Sequence, residues 1–317
     1  MSRTTIYYAS DIHGSEKCWR KFLNAGPFYR ADILIMGGDV TGKGIVPIVI
    51  QPDGSWQGTF LGRRVTGRTD EELAQLESDI RFNGMYPYRC RPEELDAVAA
   101  DPAQQDALFD RLMEQTFAGW LQIAEEKLTQ SQLPCYVMPG NDDAWVIDRA
   151  FKPEGRVRNC DGQVIDLGDG YTLLSLGYAN PTPWDSPREL PEEQLAARID
   201  ALAAQVPDMS RAIFNLHVPP YGSDLDSAPL LDSELRPQRS GGQPIMVPVG
   251  STAVRAAIER YQPLLGLHGH IHESKGVKKI GRTLCVNPGS NYNSGAIDGV
   301  LVVLEKGQVK RWQFVTG

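Results

Sequence analysis

A chain of 317 residues, 41% of them hydrophobic, can bury a large core as one large domain or two small ones. Its 23% of charged residues and the apolar segments along its whole length exclude global disorder. The formal net charge of -8 argues against a broad duplex-nucleic-acid surface, which needs clustered positive charge.

Met1 to Thr5 lead directly into a short apolar run, Ile6 to Ala9, without the long apolar stretch and cleavage site of a signal peptide. The longest purely apolar run, Val300 to Leu304, is far too short to span a bilayer. A cytoplasmic location and no membrane partner are expected. The five cysteines, Cys18, Cys90, Cys135, Cys160 and Cys285, are dispersed and form no C-x-x-C, so they read as reduced, buried thiols.

Ile6 to Ser10 reads as a first buried strand with Asp11 at its end. Ser15 to Asn24 has helical character, and Ile33 to Met36 is a second strand stopped by Gly37-Gly38-Asp39. Strand, carboxylate, helix, strand, carboxylate is the rhythm of a sheet with helices outside it, where ligands gather at the carboxyl ends of strands. From about Lys43 to Ser131 the rhythm breaks. Ile45 to Ile50 and Thr59 to Leu61 flank Pro52-Asp53-Gly54 as a hairpin, and Asp70 to Phe82 and Asp106 to Leu128 read as helices. This section is expected to be an inserted α/β cap within a single domain of residues 1–317.

The rhythm returns with strands at Cys135 to Met138 and Leu173 to Leu176, a helix at Glu192 to Ala204 and a strand at Ala212 to Leu216. Val218 to Val249 is rich in Pro, Gly, Ser and Asp with little periodicity, the mark of a functional or mobile loop. Ser251 to Tyr261 is a helix. Leu264 to Leu267, Leu284 to Val286 and Val300 to Leu304 are the last clear strands, with Val309 to Phe314 pairing after a Lys306-Gly307 turn.

Five motifs share one feature, a metal-capable side chain following a strand: Asp11-Ile12-His13-Gly14, Gly38-Asp39, Gly140-Asn141-Asp142, His217, and Gly269-His270-Ile271-His272. Each alone has a bland explanation, since Asp and Gly suit turns. The histidine census changes this. Of five histidines, four fall in these motifs, and His268 lies two residues from His270. Histidine with carboxylates suits Mn, Fe, Zn or similar divalent ions. In D-x-H and H-x-H the two ligands are two residues apart, so both can point to one side of an extended segment.

The ordered set resembles the calcineurin-like metallophosphoesterases, whose pattern runs D-x-H, G-D, G-N-H-D or G-N-H-E, a lone H, then G-H-x-H. The resemblance covers Asp11 to about Ser290 apart from the insert. It implies a four-layer αββα sandwich of two packed mixed sheets flanked by helices. It also implies two divalent metal ions, with Asp11, His13 and His272 holding one, Asn141, His217 and His270 the other, and Asp39 bridging them. Such a pair, about 3.5–4 Å apart, hydrolyses a phosphoester with a bridging hydroxide and clamps the phosphoryl oxygens.

One position departs from the pattern: Asp142 stands where the family usually has the histidine that assists the leaving group. Asp142 and His268 are the catalytic candidates: beside two cations an aspartate is ionised and a poor acid, which favours an anionic supporting residue or an extra metal ligand over an acid role for Asp142; His268 is then a candidate proton donor, with a buried supporting residue as the alternative. In the cap, Arg81, Tyr86, Arg89 and Arg91 alternate basic and aromatic residues as phosphate contact and ring stacking require, and Tyr221 in the long loop is a second candidate wall. Asn287-Pro288-Gly289-Ser290 resembles a segment that lies near the family's metal site. No G-x-x-x-x-G-K-[ST], G-x-G-x-x-G or G-x-S-x-G occurs. The expected partner is a small phosphorylated substrate, with phosphodiesters and nucleotides first and phosphomonoesters or phosphoproteins as alternatives. A silent scaffold of the same fold is a further alternative, disfavoured because all seven ligand positions are filled.

Overall fold

Alternation along the strands decides which way each side chain points. The structure is a computed structural model and describes residues 3–317. In the strand Arg3–Ala9, Ile6 and Tyr8 join one buried cluster while Tyr7 and Ala9 join another. In Ile33–Met36, Ile33 and Ile35 divide from Leu34 and Met36 in the same way. Strands apolar on both faces must be covered on both sides.

Two six-stranded sheets do this for each other. The first has the order Gln308–Thr316, Asp298–Glu305, Arg3–Ala9, Ile33–Met36, Cys135–Val137, Val157–Asn159. Arg3–Ala9, Ile33–Met36 and Cys135–Val137 run parallel, and Asp298–Glu305 pairs antiparallel. The second has the order Gly276–Ile280, Thr283–Asn287, Leu265–Leu267, Ala212–Leu216, Tyr171–Leu176, Gln163–Gly168, with its four inner strands parallel. Ile6, Ile35 and Val302 of the first meet Leu173, Ile213 and Leu265 of the second.

Helices close the outer faces. Trp19 and Phe22 from Glu16–Tyr29 and Phe117 and Trp120 from Pro102–Ser131 cover the first sheet, with the two indoles stacked at 5.6 Å. Glu192–Ala203 and Thr252–Tyr261 cover the second through Leu195, Ile199, Val254 and Ile258. Helix, sheet, sheet, helix is the four-layer arrangement expected from the motifs. The five cysteines are buried and unpaired. Among the described residues no helix is long and apolar enough to cross a membrane.

The insert carries its own four-stranded sheet, ordered Arg63–Gly67, Trp56–Phe60, Ile45–Ile50, Tyr86–Cys90. The helix Asp70–Phe82 covers it, started by a reciprocal cap between Thr69 and Glu72. Their shared core is small: Val46, Ile48, Trp56, Leu73, Leu76 and Ile80. The boundary differs from expectation. Pro102–Ser131 is not cap: its stripe of Met113, Phe117, Trp120, Ala124 and Leu128 belongs to the main core. A helical stripe states that a face is buried, not which sheet buries it.

Candidate metal centre

The candidate ligands emerge from the carboxyl ends of adjacent parallel strands, Asp11 after Arg3–Ala9, Asp39 after Ile33–Met36, Asn141 after Cys135–Val137, His217 after Ala212–Leu216 and His270 after Leu265–Leu267. The loops are bonded to one another. The N–H groups of Asp11, His13 and Gly14 donate to the carbonyls of Gly38, Asp39 and Val40 at 2.9, 3.0 and 2.8 Å. The Asp142 N–H donates to Asp39 Oδ1 at 3.0 Å, and the His270 N–H to Asp11 Oδ1, also at 3.0 Å.

Four candidate ligands hold left-handed backbone: Asp11 (φ 58°), His13 (38°), Asp39 (50°) and His270 (66°). Non-glycine residues occupy that region uncommonly and at a cost, and such strain concentrates at functional sites. Two glycines allow the crowding. A Cβ at Gly140 would sit on Asp39 Oδ1, and one at Gly269 would sit on Asp11 Oδ2.

Three three-residue sets result, each with ligand atoms within 4.8 Å of one another: Asp11, His13 and His272; Asp39, His217 and His270; and, sharing members with both, His13, Asp39 and Asp142. His13 Nε2 lies 2.9 Å from His272 Nε2, and His272 Nε2 lies 3.5 Å from Asp11 Oδ1. Nδ1 of His217 bonds the Gly37 carbonyl at 2.8 Å, which turns Nε2 toward Asn141 Oδ1 at 3.1 Å and Asp39 Oδ1 at 3.4 Å. A histidine oriented through its second nitrogen is typical of metal ligands. Asp39 reaches both sets, with Oδ2 3.8 Å from His13 Nε2.

The donor set fits divalent cations. Burial holds the imidazole of His270 down at about 3, with the charge on His217 acting in the same direction. Burial and then the neighbouring Asp142 push Asp39 up to about 6. Asp11 stays well below the usual carboxylate range: burial works against this, but the bond from His272 and the charges of His217 and His13 outweigh it. Two inward-facing imidazole nitrogens 2.9 Å apart have room for one proton at most, and His13 Nδ1 is buried with no partner. Burial works downward on His217 and His272 too, but there the neighbouring carboxylates outweigh it: Asp39 and Asp11 push His217 up to about 10, and Asp11 holds His272 above its ordinary value. A metal ion would displace those protons, and imidazoles with crowded carboxylates are the donors that Mn, Fe or Zn takes.

Asn141 sits beside His217 and also donates from Nδ2 to Asp142 Oδ1 at 2.9 Å. Asp142 is an ion-pair partner: Lys43 Nζ is 2.6 Å from its Oδ2, and Ser186 Oγ donates to Oδ1 at 2.9 Å. Burial raises its pKa, but Lys43 more than offsets this and holds the carboxyl below its ordinary value.

The acid role considered for His268 fails on geometry. His268 is fully buried, its Nδ1 bonds the Leu216 carbonyl at 2.8 Å, and its unpartnered Nε2 lies over Gly266 and Cys285. Cys285 belongs to the cluster beneath the outer helices, so His268 faces away from the centre.

The cap approaches the centre at the His13 loop. Gly84 packs on the His13 carbonyl, and the cleft there, about 420 Å³, is lined by His13, Lys43, Leu61, Asn83, Met85 and Tyr292 among others. None of the cap residues singled out from the sequence is in the lining of this cleft. Arg81 and Arg89 both pair with Glu77, at 3.3 and 2.5 Å. Arg89 is five extended residues beyond Gly84, about 16 Å at the strand rise, and Arg91 is farther still, at the start of the helix Pro92–Ala100. Tyr86 is buried, and its hydroxyl accepts the Gly42 N–H at 2.7 Å. Tyr221 is exposed, its backbone tied to Ser251 and Arg255.

Further residues support the ligands, and the first of them, Asp143, fills the acidic position that closes the G-N-H-D pattern. Asp143 is fully buried and accepts the N–H groups of Val40, Thr41 and Gly140 at 3.0, 2.8 and 2.7 Å, joining the Asp39 loop to the Asn141 loop. Arg188, also buried, donates to the Asp143 carbonyl at 2.8 Å and pairs with Asp148. Lys43, Ser186 and Tyr292 give no sequence signal, because their partners are distant in the chain. Asn287 does act near the centre: its side-chain amide donates to the Ile271 carbonyl at 2.9 Å, and Ser290 Oγ donates to the Asp11 carbonyl at 2.6 Å.

No family model matches the chain. An uncharacterized protein of Methanocaldococcus jannaschii is 31% identical over 156 residues, 48% of this chain and 62% of that protein, so the match spans less than two thirds of the relative. One solved chain, 14% identical, is matched over 99% of both chains with a TM-score of 0.57. TT1561 of Thermus thermophilus, 17% identical, is matched over 100% of this chain and 99% of that one with a TM-score of 0.52. YfcE, a phosphoesterase from E. coli, is matched over 98% of both chains at 13% identity with a TM-score of 0.33. The first two likenesses, at TM-scores of 0.57 and 0.52, are of fold alone.

Proposed function

We propose that this chain, whose fold is that of the calcineurin-like metallophosphoesterases, hydrolyses phosphoesters at a centre of two divalent metal ions. One observation carries the reading: two Asp/His sets, Asp11-His13-His272 and Asp39-His217-His270, each buried but for its last, partly exposed histidine, lie side by side at the strand ends. Asp11, His13 and His272 would hold one ion, Asn141, His217 and His270 the other, and Asp39 would touch both.

The metals, when bound, would supply Lewis acidity and an acidified water. The chain's residues do the rest. Asp39 and Asp11, which would hold the ions, accept the N–H groups of Asp142 and His270, so the ligand atoms are placed before substrate arrives. The cleft beside His13 pairs a cation, Lys43, with the apolar Leu61 and Met85 and the ring of Tyr292. Such a lining suits the organic group of a phosphodiester or nucleotide better than a bare phosphate.

The test is metal analysis of purified protein together with aryl monoester, aryl diester and nucleotide substrates in added Mn. Close to two ions per chain and metal-dependent release of phosphate or alcohol are expected. Full metal loading with no turnover of any member would overturn the hydrolase reading. Absence of stable metal binding would overturn the metal assignment itself.

A further inference from the structure

We propose that Lys43 is a fixed cation of the substrate cleft, positioned by Asp142 to grip the phosphoryl oxygens of an ester at the metal centre. This rests on the preceding reading.

The backbone just before Lys43 is immobilised. The Thr41 N–H donates to buried Asp143 at 2.8 Å, and the Gly42 N–H to the buried Tyr86 hydroxyl at 2.7 Å. Lys43 therefore leaves a rigid base, and only its side chain selects where the charge goes. It goes to the rim of the cleft, beside His13 and Tyr292, where Nζ meets Asp142 Oδ2 at 2.6 Å.

Asp142 is held on three other sides. Its Oδ1 takes the Ser186 hydroxyl and the Asn141 amide, both at 2.9 Å, and its N–H is on Asp39. A carboxylate so fixed is a mount for an ammonium. An ordinary surface ion pair joins two mobile side chains and contributes almost nothing; here one partner is anchored and the other, half exposed, retains donors for a third group. Lys43 lines the cleft together with His13, a candidate metal ligand. An ester oriented on His13 and its neighbours brings non-bridging oxygens to that rim, and a lysine there supplies a charge-assisted hydrogen bond. The role is electrostatic and requires no proton transfer by Lys43. The alternative is that Asp142 ligates a metal, since it also falls within reach of His13 and Asp39.

Inorganic phosphate is the probe, titrated calorimetrically into the Mn-loaded protein, with metal content measured on each sample. Lys43→Ala should retain both metals and weaken phosphate about 10–100-fold, the value of one charge-assisted bond. Lys43→Arg should recover most of that loss. Asp142→Asn should retain metal and weaken phosphate less than Lys43→Ala. The double variant should bind phosphate as Lys43→Ala does, because Asp142 acts through the lysine.

Phosphate affinity in metal-replete Lys43→Ala within about twofold of wild type, where a charge-assisted bond predicts far more, overturns the proposal. Loss of a metal in Asp142→Asn also overturns it and makes Asp142 a ligand. If the wild type holds no metal, or holds metal but no phosphate, the functional reading fails first and the proposal with it.

Discussion

Replacing Asp143 with asparagine tests whether the ligands are held by the fold. The carboxylate is fully buried and shared by two loops: Oδ1 accepts from the Thr41 N–H and hydroxyl at 2.8 and 2.5 Å, and Oδ2 from the Gly140 N–H at 2.7 Å. Asparagine offers one oxygen. If that oxygen keeps the Thr41 contacts, the new NH₂ faces the Gly140 N–H, donor against donor. A lost bond to a charged acceptor with a buried donor left unpaired costs about 2–4 kcal/mol. The effect extends beyond stability, because Asp39 keeps its left-handed backbone beside Val40 and Thr41, whose N–H groups Asp143 binds. Removing a partner that orients ligands typically costs about 10–100-fold in metal affinity. Urea unfolding of metal-free protein should show a lower midpoint at unchanged slope, and competition with a chelator should show weaker binding of both ions. A variant with the wild-type midpoint and wild-type metal affinity would refute the claim that Asp143 holds the centre.

Three further outcomes are expected. Asp39→Asn should lower metal content at both positions, not one, as read by elemental analysis after reconstitution. Aryl phosphates and pyrophosphate-type linkages should react far better than alkyl esters, because neither Asp142 nor His268 can protonate a leaving oxygen, and such help is typically worth about 10²–10⁴-fold; similar rates for alkyl and aryl diesters, with chemistry limiting, would contradict this. Burial holds His268 down at about 4, whereas an unfolded imidazole titrates near 6.5, so its contribution is full above about 6.5 and lost as pH falls toward 4. That loss is about 3 kcal/mol, and His268→Gln should flatten this part of the acid side of the stability profile of metal-free protein.

The parts of the fold that are legible in the sequence are those decided locally. Asp70–Phe82 and Ala212–Leu216 have the expected bounds, because a capping residue or a closely spaced stop marks each end. Gly26-Pro27 suggests that the first helix ends at Asn24, yet it runs to Tyr29, since burial of Leu23, Ala25 and Gly26 outweighs poor local propensity. Gln163–Gly168 gives no strand signal, being an edge with a mostly polar sequence that pairs with Tyr171–Leu176. The site divides along the same line. The D-x-H and H-x-H pairs are readable because their geometry is set within three residues. The roles of Arg81, Tyr86, Arg89 and Arg91 are not, because an alternating basic and aromatic run is equally compatible with a cap's own ion pairs and core.

Asp142 shows why position in a motif and role in a site are separate questions. In the family pattern a histidine there can face the substrate. An aspartate at the same backbone position adds a third carboxylate to a centre that already contains Asp11 and Asp39, and the burial of those two makes the repulsion expensive. The chain answers with Lys43, brought from the start of the insert by a backbone pinned at Thr41 and Gly42. The insert is thus tied to the centre through its first residue and through the Tyr86 hydroxyl, while the rest of its sheet encloses a core of its own. A change at one motif position and the attachment of the cap are, in this molecule, parts of one electrostatic arrangement: the Tyr86 hydroxyl of the cap holds the Gly42 N–H beside Lys43, and Lys43, on the rim of the cleft, pairs with Asp142.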